Sequence, residues 1–152
     1  MNEQNLRALL KIGFEYAFLH EDWVEPWSAA LDGISAERAR WRPSEHAMGI
    51  WDIVLHVAVW NENIVARVQT GEPLRPDEGA WPPLPSKADE DAWSLAKQRL
   101  WDSFEMVRTM IEATPMNKLE SAPYGLGDLL CRFIHSAYHV GQVVKIRECM
   151  GW

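Results

Sequence analysis

His56, His135 and His139 are the residues of this 152-residue chain whose type and spacing could do chemistry. His135 and His139 stand at i and i+4 in residues 133–147, FIHSAYHVGQVVKIR. On a helix that spacing stacks both imidazoles on one face, about 5–6 Å apart at Cβ. Two imidazoles so placed could share one metal ion. Gln142 follows on the same stripe, three residues after His139, and Cys131 extends it four residues before His135. Gly141, having no side chain, is expected to let another helix approach closely. The HxxxH spacing is weak evidence by itself, because a histidine on an apolar helix face is commonly a hydrogen-bonded core residue. Two readings stand at this point: metal ligands, or packed and metal-free core histidines.

The elements that must position these side chains can be read from periodicity. Leu6, Leu9, Leu10, Gly13, Phe14 and Ala17 predict a first helix over 3–19. Pro26 suits the first turn of a short helix that runs to about Leu31 and ends at Gly33. Residues 34–48 read as a connector, with Arg42-Pro43 disfavouring helix at position 42. The second long helix is predicted from about 50 to 69, with Gly49 as N-cap and Asp52 in the first turn. Its buried face carries Ile53, Val57, Trp60 and Ile64. His56 lies on that face, and Asn63 is seven residues further along the same stripe.

Residues 71–86, GEPLRPDEGAWPPLPS, hold five prolines and exclude regular structure. The segment is either a crossover strap with Trp81 plugging the bundle, or a lid or pocket wall. Ser86, with Asp89 three residues on, predicts the start of a third helix. Its stripe of Trp93, Ala96, Leu100, Phe104, Val107 and Ile111 is core. Thr114-Pro115 ends it. A loop over 114–126, closing with Tyr124 and Gly125, leads to a fourth long helix from about 128 to 149, capped by Gly151. No segment reads as a strand. The expected fold is all-α, a four-helix bundle with a long Pro-rich crossover loop, forming one domain over 1–152.

Composition narrows the function. A net charge of −7 without a basic stretch argues against a nucleic-acid partner. No apolar run reaches the roughly 18 residues of a membrane span, and the first residues, MNEQNLRALLK, lack a signal-peptide core, so a cytoplasmic protein is expected. Cys131 and Cys149 fall on one predicted helix, about 27 Å apart at 1.5 Å per residue, too far for a disulfide. They are expected to be reduced thiols. Nine tryptophans suit half-buried positions, pocket walls and interfaces.

Bundles build metal sites from inward side chains on facing helices. Here the second long helix offers His56 and the fourth offers His135 and His139. Three neutral imidazoles leave a fourth position for water or substrate, the pattern of a catalytic site. His20 and His46 lie in breaks between helices and read as exposed. Other metal and catalytic signatures are absent: no Glu-x-x-His pair, HExxH, CxxC, Gly-rich phosphate loop or GxSxG.

Three stretches carry a resemblance to a known family: GIWDIVLHVAVWNE over 49–62, AWPPLP with DAW over 80–93, and HSAYHVGQVVKIRE over 135–148. EPWSAALDGIS is similar to the same family's second short helix. The chain resembles the DinB/YfiT-like superfamily of metalloenzymes over nearly its whole length. The pairing of one His in the second helix with HxxYHxGQ in the fourth carries most of the specificity. The resemblance implies a four-helix bundle with a divalent metal, nickel or zinc, held by His56, His135 and His139. It also implies a homodimer and, for some relatives, transfer or isomerisation with a low-molecular-weight thiol such as bacillithiol or mycothiol. Gly49 stands where the family pattern has Ser or Thr.

On this basis the expected function is a metal-dependent enzyme acting on a small molecule, foremost a thiol-dependent S-transferase. The alternatives are a metal-dependent hydrolase and a non-catalytic metal- or ligand-binding stress protein. Gln142 and Asn63 could orient a bound ligand or a His N–H, or serve as polar fillers. Trp60 would line the pocket. Tyr138 could donate to substrate, although packing between helices is the expected role. Asp52 could hold the other nitrogen of His56, although an exposed first-turn charge is the expected role. Cys131 could be a fourth ligand or a reactive thiol, and is expected to be a small buried core residue.

Overall fold

The computed structural model describes residues 2–121 and 125–152, and among these the regular structure is entirely helical. Tyr124, placed by the sequence at the end of the second loop, lies outside the described residues. In chain order the helices are α1 (Glu3–Phe18), α2 (Trp27–Leu31), α3 (Ala36–Arg40), α4 (Ile50–Thr70), α5 (Glu90–Ala113), α6 (Met116–Ser121) and α7 (Leu126–Met150). The four long predicted helices are present. The connectors at 34–48 and 114–126 each contain a short helix, α3 and α6, of five and six residues. Elements that short show no apolar period in the sequence.

Local chemistry fixes the helix ends. Asn2 accepts from the Asn5 amide at 2.8 Å and caps α1. The third long helix starts three residues later than Ser86 implies: Asp89 is the cap, accepting from the Ala92 amide at 3.0 Å. Such caps are worth about 1 kcal/mol each. Arg7 donates to the carbonyls of Glu112 and Thr114 at 3.0 and 3.1 Å, closing the C-terminal end of α5.

Glycine at position 49 is set by packing. A Cβ there would lie 2.4 Å from the Trp41 carbonyl oxygen and 3.1 Å from that of Ala39, so neither Ser nor Thr fits. The cap is held instead by Asp52, which accepts from the Gly49 amide at 2.8 Å. Asp52 is buried, not exposed, and takes both arms of the Arg42 guanidinium at 2.9 and 2.6 Å. It therefore ties the connector to the start of α4 and has no part in orienting His56. Gly141, in contrast, faces open space and admits no neighbouring helix within the chain. The close approach is at Gly13, where a Cβ would meet the Phe133 ring at 3.0 Å.

The direction of the long helices follows from their contacts. Lys11 meets Glu112 and Phe18 meets Phe104, so α1 and α5 are antiparallel. Trp51 meets Trp93 and Glu62 meets Arg99, so α4 and α5 are parallel. The connection between them must then run back along the bundle. The 21-residue α4 is about 30 Å long, and residues 71–89 reach about 60 Å when extended, so the strap spans it with slack. Helix α7 is antiparallel to α4, since Arg67 pairs with Asp128 while His56 meets His139.

The core takes the whole α5 stripe, Trp93 to Ile111, together with Ile53, Val57 and Ile64 of α4. Leu9 departs from the predicted α1 face and is exposed. Trp27, Trp51 and Trp93 are fully buried, deeper than half-buried walls. A buried indole usually finds a partner for its N–H, and two of these three do, Trp51 Nε1 having none among the described residues. Trp93 donates to the Ile34 carbonyl at 2.7 Å and Trp27 to Ser136 Oγ at 2.8 Å. Ser136 in turn donates to the Ala17 carbonyl at 2.9 Å. This chain from α2 through α7 to α1 fixes the rotation of α7, and so turns the neighbouring His135 toward α4. Among the described residues no helix is long and apolar enough to cross a membrane.

Candidate metal centre

Rotation of α7 and the cap of α4 bring the three predicted histidines together. His56 on α4 and His139 on α7 are buried, and His135 is half-buried. The Nε2 of His135 lies 2.9 Å from Nε2 of His56 and 3.0 Å from Nε2 of His139. All three ligand atoms fall within 4.8 Å of one another. Among the described residues this is the one cluster of three or more potential metal ligands.

The protons on two of these rings, His56 and His139, are set by their outer partners. His56 Nδ1 lies 2.5 Å from the Ala80 carbonyl oxygen, which can only accept. Nδ1 therefore carries the proton and Nε2 keeps its lone pair. His139 Nδ1 lies 2.7 Å from Gln142 Oε1, while Gln142 Nε2 donates to the Tyr138 hydroxyl at 3.0 Å. That arrangement gives His139 the same tautomer. Two lone pairs thus face His135 Nε2, and one ring proton can serve only one of them as a linear hydrogen bond. The remaining contact sets nitrogen lone pairs against each other. A divalent cation answers all three lone pairs at once, and nitrogens around one tetrahedral ion stand about 3.3 Å apart at Zn–N distances of about 2.05 Å. The donor set fits such an ion.

Electrostatics keep the rings in their ligating form. Burial pushes His135 down to about 3 and His139 down to about 4. Burial also lowers His56, against the opposing hydrogen bond to Ala80. The nearby Arg132 charge contributes in the same direction at all three. Neutral imidazole is the form that binds metal.

The Pro-rich loop supplies a wall of the site. Trp81 stacks on His56, with ring centres 3.8 Å apart and planes 17° from parallel. It is 40% exposed, so it covers the site from outside and does not plug the bundle. Ala80, the residue before it, provides the carbonyl that fixes the His56 tautomer. A backbone acceptor of this kind has no signature in the sequence. Trp81 stood out there only as an aromatic within a proline run.

The other singled-out residues separate. Gln142 orients His139, and Tyr138, which is largely exposed and so not packed between helices among the described residues, holds Gln142. Trp60 is half-buried, its ring centre 6.4 Å from that of His56. Asn63 is buried with its Oδ1 unpartnered, and makes no hydrogen bond to the histidines. Cys131 is exposed and outside the cluster, which corrects its reading as a core residue and leaves it no place as a fourth ligand. His20 and His46 are exposed, as expected. Arg132, three residues before His135, was overlooked in the sequence. Its signal was a cation on the stretch of α7 that leads into the histidines.

No curated protein and no solved structure matches the chain. The model of the DinB superfamily matches residues 21–143, most of the chain, including all three histidines and the Pro-rich loop. By that match, and with the all-helical fold expected of it, the chain belongs to the DinB superfamily.

Proposed function

We propose that this protein is a divalent-metal-dependent enzyme that acts on a small molecule, with His56, His135 and His139 as ligands of nickel or zinc. The observation that supports it most is the convergence of three Nε2 atoms, two of which, on His56 and His139, have outer partners that leave their lone pairs facing inward. Three imidazoles suit both metals. Bound there, the ion would supply Lewis acidity, lowering the pKa of a coordinated thiol or water. The reaction we favour is S-transfer from a low-molecular-weight thiol to an electrophile, a choice supported by family likeness. A new S–C bond forms, the electrophile's leaving group departs with its electron pair, and the thiol proton passes to solvent.

The chain's own residues have defined parts in this reading. The Ala80 carbonyl and Gln142 hold two ligand rings in one tautomer, and Trp81 shields one side of the centre from water. His135, half-buried, is the most accessible of the three rings. A homodimer and a cytoplasmic setting belong to the same proposal, the first on family likeness and the second on two exposed, distant thiols.

Chlorodinitrobenzene and a series of low-molecular-weight thiols test the reaction. The nickel- or zinc-loaded protein is expected to form conjugate faster than buffer with metal alone, and His139→Ala is expected to lose the acceleration. A loaded wild-type protein that is no faster than buffer across the thiol series would reduce the site to ligand binding without turnover.

A further inference from the structure

Arg132 is a half-buried cation with no carboxylate in hydrogen-bond reach among the described residues. Its Nη1 is inaccessible and has no hydrogen-bond partner among the described residues. Its Cζ lies 5.2 Å from the centre of the Trp60 ring, and the Cζ of Arg67 lies 5.7 Å from the same ring. Two guanidinium groups thus share one indole. Arg67 is satisfied by Asp128 at 3.2 Å and the Leu74 carbonyl at 2.8 Å. Asp128 attracts Arg132 from beyond hydrogen-bond reach and is already committed to Arg67. The carboxylate that acts on Arg132 is thus ion-paired with a different arginine.

Position makes that charge informative. Arg132 is three residues before His135 on α7, a spacing that sets the two side chains as neighbours about 5–6 Å apart at Cβ. Trp60, under the guanidinium, is one turn after His56 on α4. The cation thus sits beside the three-histidine centre, against both helices that build it. An arginine stays charged when buried, and an unpaired charge, even half-buried, is a cost to the fold. It also repels any cation held by the histidines. The Trp60 face answers that charge only in part, whereas an anionic ligand would pair with it directly and relieve both penalties.

We propose that Arg132 is the anion-binding subsite of the metal centre, and that it selects a small thiol whose carboxylate pairs with the guanidinium while its sulfur reaches the metal. This rests on the metal-and-thiol reading above. A guanidinium takes a carboxylate in two parallel hydrogen bonds, and the short distance to His135 favours two or three bonds between the carboxylate carbon and the sulfur-bearing carbon at most. Arg132 acts here as a specificity residue for that ligand.

The test compares 3-mercaptopropionate with 2-mercaptoethanol on nickel-loaded protein, followed by sulfur-to-nickel charge-transfer absorption. Wild type is expected to bind the carboxylate thiol about tenfold more tightly than the neutral one. Arg132→Met is expected to bind both alike, and Arg132→Lys to keep part of the preference. Arg132→Met is also expected to melt no lower than wild type, since it removes a half-buried charge whose Nη1 has no partner. Equal binding of both thiols by wild type, preference retained in Arg132→Met, or a clear loss of stability in Arg132→Met would overturn the proposal. If the wild type holds no metal, the metal reading fails separately. Propionate titration of the metal-free protein, read by tryptophan fluorescence, then decides: a response abolished by Arg132→Met supports the subsite, and no response in wild type overturns it.

Discussion

Replacing Gly49 by Ser sets two physical effects against each other at the start of the helix that carries His56. By capping preference alone the change should help, because Ser exceeds Gly at an N-cap by a few tenths of a kcal/mol. The structure gives the opposite sign. The new Cβ would stand 2.4 Å from the Trp41 carbonyl oxygen, and that oxygen belongs to backbone, which cannot swing aside. Relief requires the connector to move from α4, which strains the Asp52–Gly49 bond of 2.8 Å and the Asp52–Arg42 pair. Overpacking of this kind costs about 1–3 kcal/mol, well above the capping gain. For a chain of this size each kcal/mol lowers Tm by about 2–4 °C, so Gly49→Ser is expected to melt about 2–10 °C below wild type. Gly141→Ala is the matched control: it lies inside α7 with nothing within 4 Å of its new methyl. It should gain about 0.8–1 kcal/mol of helix propensity. Thermal and urea melts followed by circular dichroism measure both. A Gly49→Ser protein as stable as wild type would refute the claim that close approach of Trp41, and not capping, selects glycine.

Three further outcomes follow from the site and its supports. Because the folded pKa values of His135 and His139 lie at about 3 and about 4, below the 6.5 of an ordinary histidine, the unfolded chain takes up protons that the fold refuses. The metal-free protein should therefore keep full stability above pH 6.5 and lose it as pH falls toward 4, at up to about 1.4 kcal/mol per pH unit for each histidine; melts between pH 8 and 4 that show no such decline would contradict the buried neutral rings. Trp81→Ala removes the ring stacked on His56 and should speed extraction of bound nickel by a chelator by about tenfold, the lower end of the effects seen when groups supporting a metal ligand are lost; an unchanged rate would show that the loop is a strap only. Ser136→Ala leaves the Trp27 N–H and the Ala17 carbonyl without their partner in the core, and should cost about 1–3 kcal/mol in urea melts, with reduced metal affinity if the rotation of α7 positions His135.

Much of the frame was legible because long amphipathic helices repeat their signal. The α5 stripe from Trp93 to Ile111 recurs through about five turns, and all six residues are buried as read. The His135–His139 pair was legible for the same reason, since both lie on one helix face. Its meeting with His56 required the order of helices, which the sequence implies only through the long strap and the family likeness. What escaped was short or backbone-borne. Helices α3 and α6 are too brief to show a period. The Ala80 carbonyl is a main-chain atom, and its identity as the His56 acceptor depends on where the proline-rich segment lies. Asp52 serves the helix end as a first-turn carboxylate, but its expected exposure was wrong, because Arg42, ten residues back, pairs with it in a buried position. Cys131 shares a helical stripe with His135 by count, yet it falls on the exposed flank of α7.

The central claim, a metal ion held by three histidines, is tested most directly by elemental mass spectrometry of tag-free protein purified without chelator or immobilised metal. His56→Ala and His139→Ala are measured beside the wild type. The expected result is close to one nickel or zinc per chain, lost in both variants while they remain helical. Wild-type protein that is folded, carries no metal and refuses added nickel and zinc would contradict the claim, and the three Nε2 atoms would then be a hydrogen-bonded cluster in the core.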